Sequence, residues 1–343
     1  MTEKYAPVII ATLNRSEHFI RLVESLKRNT WAHYTDVYIG LDYPPSEKYV
    51  EGYNKIRQYL SGDFSEFASF EVIRRTVNYG SLKNFADLRT YVLERYDRFI
   101  RTDDDAEFSP NFLEYMNKCL DMYEFDEDVV AVCGYTYPLQ WNVGDNATIF
   151  KESFICPMWG TGFWRDKYTK AVQYISNDGG LSRDAYQIVN SGKWRCMTDV
   201  CKREFADLCL SPDFNMTLAS TVSDISFRMY LSVLNKSVIM PVISKVRNWG
   251  FDGTGEFCSR TYGTDKNINA KNYNYSQQQI DEQQGFVLIP DSLNAIEENK
   301  RLMNRFDPIP FTQKLKMYVK LIIYMFFGKT IFTKITLFLR KIR

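Results

Sequence analysis

The chain has 343 residues, 45% hydrophobic and 25% charged, enough for one large domain or two smaller ones with cores of their own. That composition excludes intrinsic disorder and collagen-like repeats. The balance of 43 Lys and Arg against 42 Asp and Glu excludes the strongly basic domain that marks a nucleic-acid binder, so no nucleic-acid partner is expected. The near-neutral total conceals a division. Residues 311–343 hold eight Lys or Arg and no Asp or Glu, so this tail carries +8 and the rest of the chain −7. Seven cysteines without a C-x-x-C pair, and a polar start at Met1, Thr2, Glu3 and Lys4, predict thiols in a reducing cytosol. In such a compartment the five Asn-x-Ser/Thr sequons, at Asn14, Asn146, Asn215, Asn235 and Asn274, carry no meaning. Only His18 and His33 are present, which disfavours Ser-His-Asp hydrolysis and multi-histidine zinc sites and leaves carboxylates to carry any chemistry.

In chain order, an apolar run at 7–13 has the character of a strand buried on both faces. Asn14 and Arg15 follow it, then Ser16 as the N-cap of a helix whose Phe19, Leu22, Val23 and Leu26 share one face. A second strand at 36–41 ends in Asp42 and the turn pair Pro44 and Pro45. A third strand near 70–75, a helix over about 82–95 and a strand at 98–101 running into Asp103, Asp104 and Asp105 continue the alternation. This pattern predicts a parallel α/β sheet, and such sheets bind ligands at the carboxyl ends of their strands, where Asn14, Asp42 and the Asp triplet fall. Beyond 128 come short strands, Trp- and Gly-rich turns and a few helices, the clearest at about 224–235, which predict a second half. The stretch 263–284, rich in Asn, Gln and Lys, reads as a long polar loop, and no internal repeat is present.

The Asp triplet places adjacent carboxylates at the end of a buried strand, where mutual repulsion favours a divalent cation such as Mn2+ or Mg2+. Spacing alone accounts for it equally well as a solvated acidic turn, since Ser109 and Pro110 follow and acids favour helix N-termini. Asp42 alone reads as a turn residue and Asp224, after Ser223, as a first-turn helix residue. Asn78, Gly80, Lys83 and Asn84 form a loop-to-helix entry that suits a ligand or an ordinary turn. Trp159 and Gly160 suit either a sugar pocket or an aromatic core corner.

In the tail, the run at 321–327 is far short of the ~20 residues that span a bilayer. Beyond Gly328, Ile331, Phe332, Ile335, Phe338, Leu339 and Ile342 fall on one helical face, with Lys334, Arg340, Lys341 and Arg343 mostly opposite. This predicts an interfacial segment that binds an anionic membrane surface, or a helix docked on the body of the protein.

The segment DDDAEFSPNFLEY at 103–115 resembles the acidic metal-binding motif and following helix of the N-acetylglucosaminyltransferase I family, in its bacterial polysaccharide-type members. The opening PVIIATLNR at 7–15, the strand ending at Asp42, MWGTGFW at 158–164, VSDISFR at 222–228 and NWGFDGTG at 248–255 extend the similarity over roughly residues 5–260. The resemblance implies an α/β glycosyltransferase A fold. It would comprise a Rossmann-like nucleotide-binding half over 1–127, a mixed-sheet acceptor half over 128–262, a polar loop and linker over 263–310, and C-terminal amphipathic helices in a membrane-associating tail over 311–343.

It further implies a metal-dependent, inverting glycosyltransferase with Mn2+ or Mg2+. The donor would be a nucleotide sugar, UDP-linked, and the acceptor a glycan or lipid-linked glycan in surface polysaccharide synthesis at the cytoplasmic face of the membrane. By position, Asp105 would ligate the metal with Asp103 as a donor-side acid beside it, and Asp104 would lie near the ribose. Arg15 would contact the diphosphate and Asp42 the uracil, with Thr12, Asn14, Asn78, Lys83, Asn84, Trp159 and Gly160 around the donor. Asp224 would be the general base that takes the acceptor proton, and residues 249–255 would close over the donor. Relatives often carry His where Phe257 precedes Cys258 here, and that departure keeps open an alternative, an inactive membrane-attached scaffold.

Overall fold

A computed structural model describes residues 5–176, 181–210, 223–255 and 273–341. The first strand, β1 (Val8–Thr12), is apolar along its length and stable only when covered on both sides, and it lies in the interior of the main sheet. Parallel partners flank it: β2 (Asp36–Leu41) on one side, with β3 (Ser69–Arg74) beyond, and β4 (Arg98–Thr102) on the other. The sheet continues through antiparallel β8 (Thr161–Trp164), then β6 (Val129–Cys133), β9 (Ser237–Pro241) and β7 (Ile149–Glu152), so the order is β3-β2-β1-β4-β8-β6-β9-β7. A small second sheet pairs β5 (Ala106–Phe108), directly after the Asp triplet, with β10 (Val246–Asn248) in antiparallel register.

Alternation along the strands sorts the core into layers. Val8 and Ile10 of β1, and Val37, Ile39 and Leu41 of β2, meet helices α1 (Ser16–Lys27), α2 (Val50–Tyr59) and α4 (Phe112–Met122) on one face. Ile9 and Tyr38 point the other way, toward α3 (Ser81–Leu93), α5 (Arg165–Ser176) and α8 (Asp224–Leu234). The expected face of the first helix is the one buried, Phe19, Leu22, Val23 and Leu26, each such side chain worth ~1.5–3 kcal/mol of transfer from water. Ser16, expected as the cap, is instead the first helical residue, and Arg15 occupies the cap position without a side-chain bond to the helix. Helix α2 had no clear signal in the sequence because only Tyr53 and Ile56 of its ten residues are buried. The mixed α/β architecture expected from the sequence is present.

The described part of the segment read as polar loop and linker is packed. Tyr275 and Gln278 are buried, and Ile296–Phe306 (α9) adds Met303 and Phe306 to the second layer. A third cluster joins α6 (Ala185–Asn190), α7 (Asp199–Leu208) and the C-terminal helix α10 (Phe311–Lys341), which breaks at Gly328 where φ is +67°. Within Phe311–Phe338 an 18-residue window has a mean hydropathy of 1.5, enough by length and composition alone to cross a membrane, although the break at Gly328 divides the helix. Met317, Leu321, Tyr324 and Phe332 are nonetheless buried against the body, so Phe332 faces protein and does not lie on the expected lipid-facing side.

Candidate functional site

The carboxyl ends of β1 and β4 bring Thr12, Arg15, Asp104 and Asp105 together. Arg15 donates through Nη2 to Asp104 and through Nη1 to Asp105 Oδ2 at 3.0 Å, while Thr12 Oγ1 donates to Asp104 Oδ2 at 3.0 Å. Asp104 and Asp105 are both buried. Burial pushes Asp105 up to about 7, against the pull of Arg15 and with the added repulsion of Asp103 and Asp104. Burial works against the charge on Arg15, and the two carboxylates outweigh it and hold its pKa above the ordinary value.

The second strand pair brings a strap onto the same group. Trp249 N donates to the backbone oxygen of Asp105 at 2.8 Å, and Asn248 Nδ2 reaches Asp105 Oδ1 at 3.3 Å. Gly250 lies so close that a Cβ there would stand 2.0 Å from Asp105 Oδ2. The Trp249 indole is held by Glu107 Oε2 at 2.8 Å and covered by the Arg21 guanidinium at 4.0 Å, and His18 Nε2 lies 3.2 Å from its carbonyl oxygen. Asn248, Glu107, Arg21 and His18 were not singled out from the sequence. The match at 248–255 was the one available signal, and it pointed to a lid over a donor, not to packing on the acid itself.

Other expected site residues are placed differently. Asp103 turns to Arg101 and its side chain is 42% exposed, apart from Arg15. Asp42 is buried with every acceptor used: Oδ1 takes the amides of Tyr43 and Tyr79 at 2.9 and 2.8 Å, and Oδ2 takes Gly80 N at 2.8 Å and Asn78 Nδ2 at 3.1 Å. Asp42 and Asn78 therefore meet, as the pair that shapes the loop before α3. Asn84 is committed to the interior, giving a hydrogen bond to Gly40 O at 2.7 Å and accepting one from Arg75 Nε at 2.9 Å. Lys83 is exposed over the Tyr79 ring. The backbone oxygen of Asn14 accepts from Ser16 N at 2.9 Å, and its side chain is half-buried. Trp159 packs at 90° on Tyr135, 4.7 Å between centroids, and faces Phe251, which itself stacks on Tyr275 at 4.1 Å. Gly160 takes φ +61° against Phe108, Phe112 and Val246, a conformation and a space that suit glycine.

Asp224 opens α8 and is exposed, with Ser223 capping the helix in a reciprocal box with Ser226. One turn on, Arg228 is paired with Glu204 of α7 at 2.7 Å. Burial pushes Glu204 up to about 7, against the pull of Arg228 and helped by the charge of Asp224. Val222, Phe257 and Cys258 lie outside the described residues.

The donors at the triplet are all oxygen, which fits a hard divalent ion completed by substrate phosphates and water. Among the described residues no three Asp, Glu, His or Cys side chains converge on one point, so any ion would take one or two carboxylates, Asp105 foremost.

No family model matches the chain, and no curated protein matches it. Among solved structures it is similar to S. aureus TarS, at 14% identity over 41% of this chain and 23% of TarS, with a TM-score of 0.29. It is also similar to the mannosyltransferase PcManGT from Pyrobaculum calidifontis in complex with GDP-Man and Mn2+, at 15% identity over 55% of this chain and 52% of that one, TM-score 0.37. A third is TarS 1–349 in complex with UDP-GlcNAc, at 14% identity over 39% of this chain and 37% of that one, TM-score 0.30. The chain thus spans about half or less of each of these structures.

Proposed function

We propose that the chain is a glycosyltransferase that moves a sugar, with inversion, from a nucleotide donor, UDP-linked, to a hydroxyl of a glycan or lipid-linked glycan in surface polysaccharide synthesis. The observation that carries this reading is the buried cluster of Arg15, Asp104 and Asp105 at the carboxyl ends of β1 and β4, under the strap of Trp249 and Gly250. A guanidinium held between two carboxylates can exchange them for diphosphate oxygens, which it matches with two parallel hydrogen bonds. Mn2+ or Mg2+, when bound with Asp105 as its carboxylate, supplies Lewis acidity toward the departing diphosphate.

The protein's own residues do the rest. Thr12 fixes the Asp104 carboxylate, and Asp42 holds the loop of Asn78 to Gly80 in place beside the nucleotide. Trp159 and Gly160 wall the sugar, and the Trp249 strap keeps water from the donor. Asp224 takes the proton of the attacking hydroxyl. The basic tail holds the enzyme at the cytoplasmic face of the membrane.

Calorimetric titration with UDP, with Mn2+ present or chelated, tests the donor site. Asp105→Ala should weaken Mn2+-dependent UDP binding by at least about tenfold. Asp224→Ala should bind UDP as the parent does and transfer no sugar. A folded chain that binds no nucleotide would overturn the proposal in favour of the inactive scaffold.

A further inference from the structure

Helix α10 is gripped on one side and open on the other. Before its break at Gly328, Met317, Leu321 and Tyr324 are buried against α6 and α7. On the opposite side Phe311, Leu315, Val319, Ile322 and Phe326 recur every three or four residues and remain 45–78% exposed. This spacing lines them up along one face of the helix. Between the two faces lies a cleft of about 510 Å3, shared with α7 and the start of α8 and lined by Arg203, Glu204, Asp207, Ile225, Lys316 and Lys320 among others.

Ile225 directly follows the candidate base Asp224, and Glu204 is bound to Arg228, one turn along from Asp224. The cleft therefore adjoins the place where an acceptor hydroxyl must lie. Its acids are already matched, Glu204 by Arg228 and Asp207 by Lys320. Arg203 donates to Gln313 at 3.2 Å and stands 3.9 Å from Glu204, a carboxylate it shares with the nearer Arg228, and among the described residues Lys316 has no carboxylate within ion-pair distance. Positive charge is left over at the cleft, beside an apolar line that none of the described residues covers.

We propose that this cleft is the acceptor subsite and that it takes a phosphate-bearing amphiphile, the phosphate against Arg203 and Lys316 and the hydrocarbon along Phe311, Leu315, Val319, Ile322 and Phe326. The acceptor role rests on the reading of Asp224 as base. Charge complementarity selects this occupant. An uncharged glycan would leave the surplus of cations over Glu204 and Asp207 unused, and a second copy of the chain would bring the same positive tail against them. A lipid-borne phosphate satisfies the cations and the apolar line together, and a chain seated on a membrane would meet its acceptor with Asp224 alongside.

The full chain, titrated calorimetrically with dodecyl phosphate below its micelle concentration, tests this against inorganic phosphate and decyl maltoside. Dodecyl phosphate should bind at least about tenfold more tightly than either control, since phosphate and hydrocarbon are both engaged. Lys316→Glu, and separately Ile322→Ser with Phe326→Ser, should each weaken it by a similar factor, with the unfolding midpoint and UDP binding unchanged. Equal affinity for decyl maltoside, or a Lys316→Glu variant that binds dodecyl phosphate as the parent does, would overturn the proposal. So would vesicles of phosphatidylglycerol that bind parent and variant alike while dodecyl phosphate does not bind, which is a general membrane surface. A dimer that the Ile322 and Phe326 changes dissociate, without effect on dodecyl phosphate, would assign the face to a second copy. Loss of UDP binding with the dodecyl phosphate pattern intact would remove the donor reading alone.

Discussion

Asp105 is the most constrained side chain in the molecule's candidate site, because two segments distant in sequence converge on it: Arg15 on one side, and Asn248 with the backbone of Gly250 on the other. The space above it admits only glycine. Gly250→Ala would drive a methyl group against the Asp105 carboxylate and lift the strap, so it should weaken UDP binding at least about tenfold in calorimetry with little change in the urea midpoint. A second carboxyl, Glu152 on β7, is fully buried away from this site. Its Oε1 accepts from Ser153 N at 2.9 Å, its Oε2 has no partner, and burial raises its pKa well above the usual carboxylate value. The folded chain therefore keeps this proton after the unfolded chain has released it near pH ~4.3, and stability falls as pH rises, by ~1.4 kcal/mol per pH unit until the folded group ionises. Glu152→Gln keeps the shape of the neutral acid, so a urea midpoint series from pH 4 upward should lose that part of its slope.

At the scale of elements, helix starts do the positioning. Ser223 and Ser226 cap α8 reciprocally and so fix where Asp224 emerges; Ser223→Ala should cost ~1 kcal/mol in thermal unfolding and lower transfer more than UDP binding. The entry to α3 is built differently. Asp42 receives the amides of Tyr79 and Gly80, and Asn84 ties the first turn of the helix to Gly40 of β2. Asp42 and Asn84 were read as donor contacts from their positions in the chain. Each proves to be saturated by protein groups, and what they offer a ligand is the shape of the loop between them. Strands β1 and β2 and helix α8 were legible because their apolar patterns match their burial, whereas α2, with two buried residues, left almost no periodic trace.

For the whole molecule, the three apolar clusters divide the labour. Two cover the faces of the main sheet, and the third binds α10 to α6 and α7. The tail is thus both a surface and a structural part, which neighbouring residues separate. Leu321, 2% exposed, should cost ~2–4 kcal/mol on change to Ala as a cavity opens in the third cluster. Ile322, 50% exposed, should cost less than ~0.5 kcal/mol, and urea unfolding of the two variants compares them directly.

The sequence by itself determined the strand and helix rhythm of the first half, the place of Asn14, Asp42 and the Asp triplet at strand ends, and the charge of the tail. Each of these depends on neighbours along the chain: apolar period, turn chemistry, and counts of charge. Only the tertiary structure decided which carboxylates meet Arg15, that Asp103 turns away to Arg101, that Trp249 and Gly250 press on Asp105, and which face of α10 is free. Apart from Asp103 and Arg101, which are near neighbours, such pairings join residues about 90 or more positions apart or choose between two faces of one helix. Spacing along a chain carries no record of what packs across from it, and only the closed core supplies that partner.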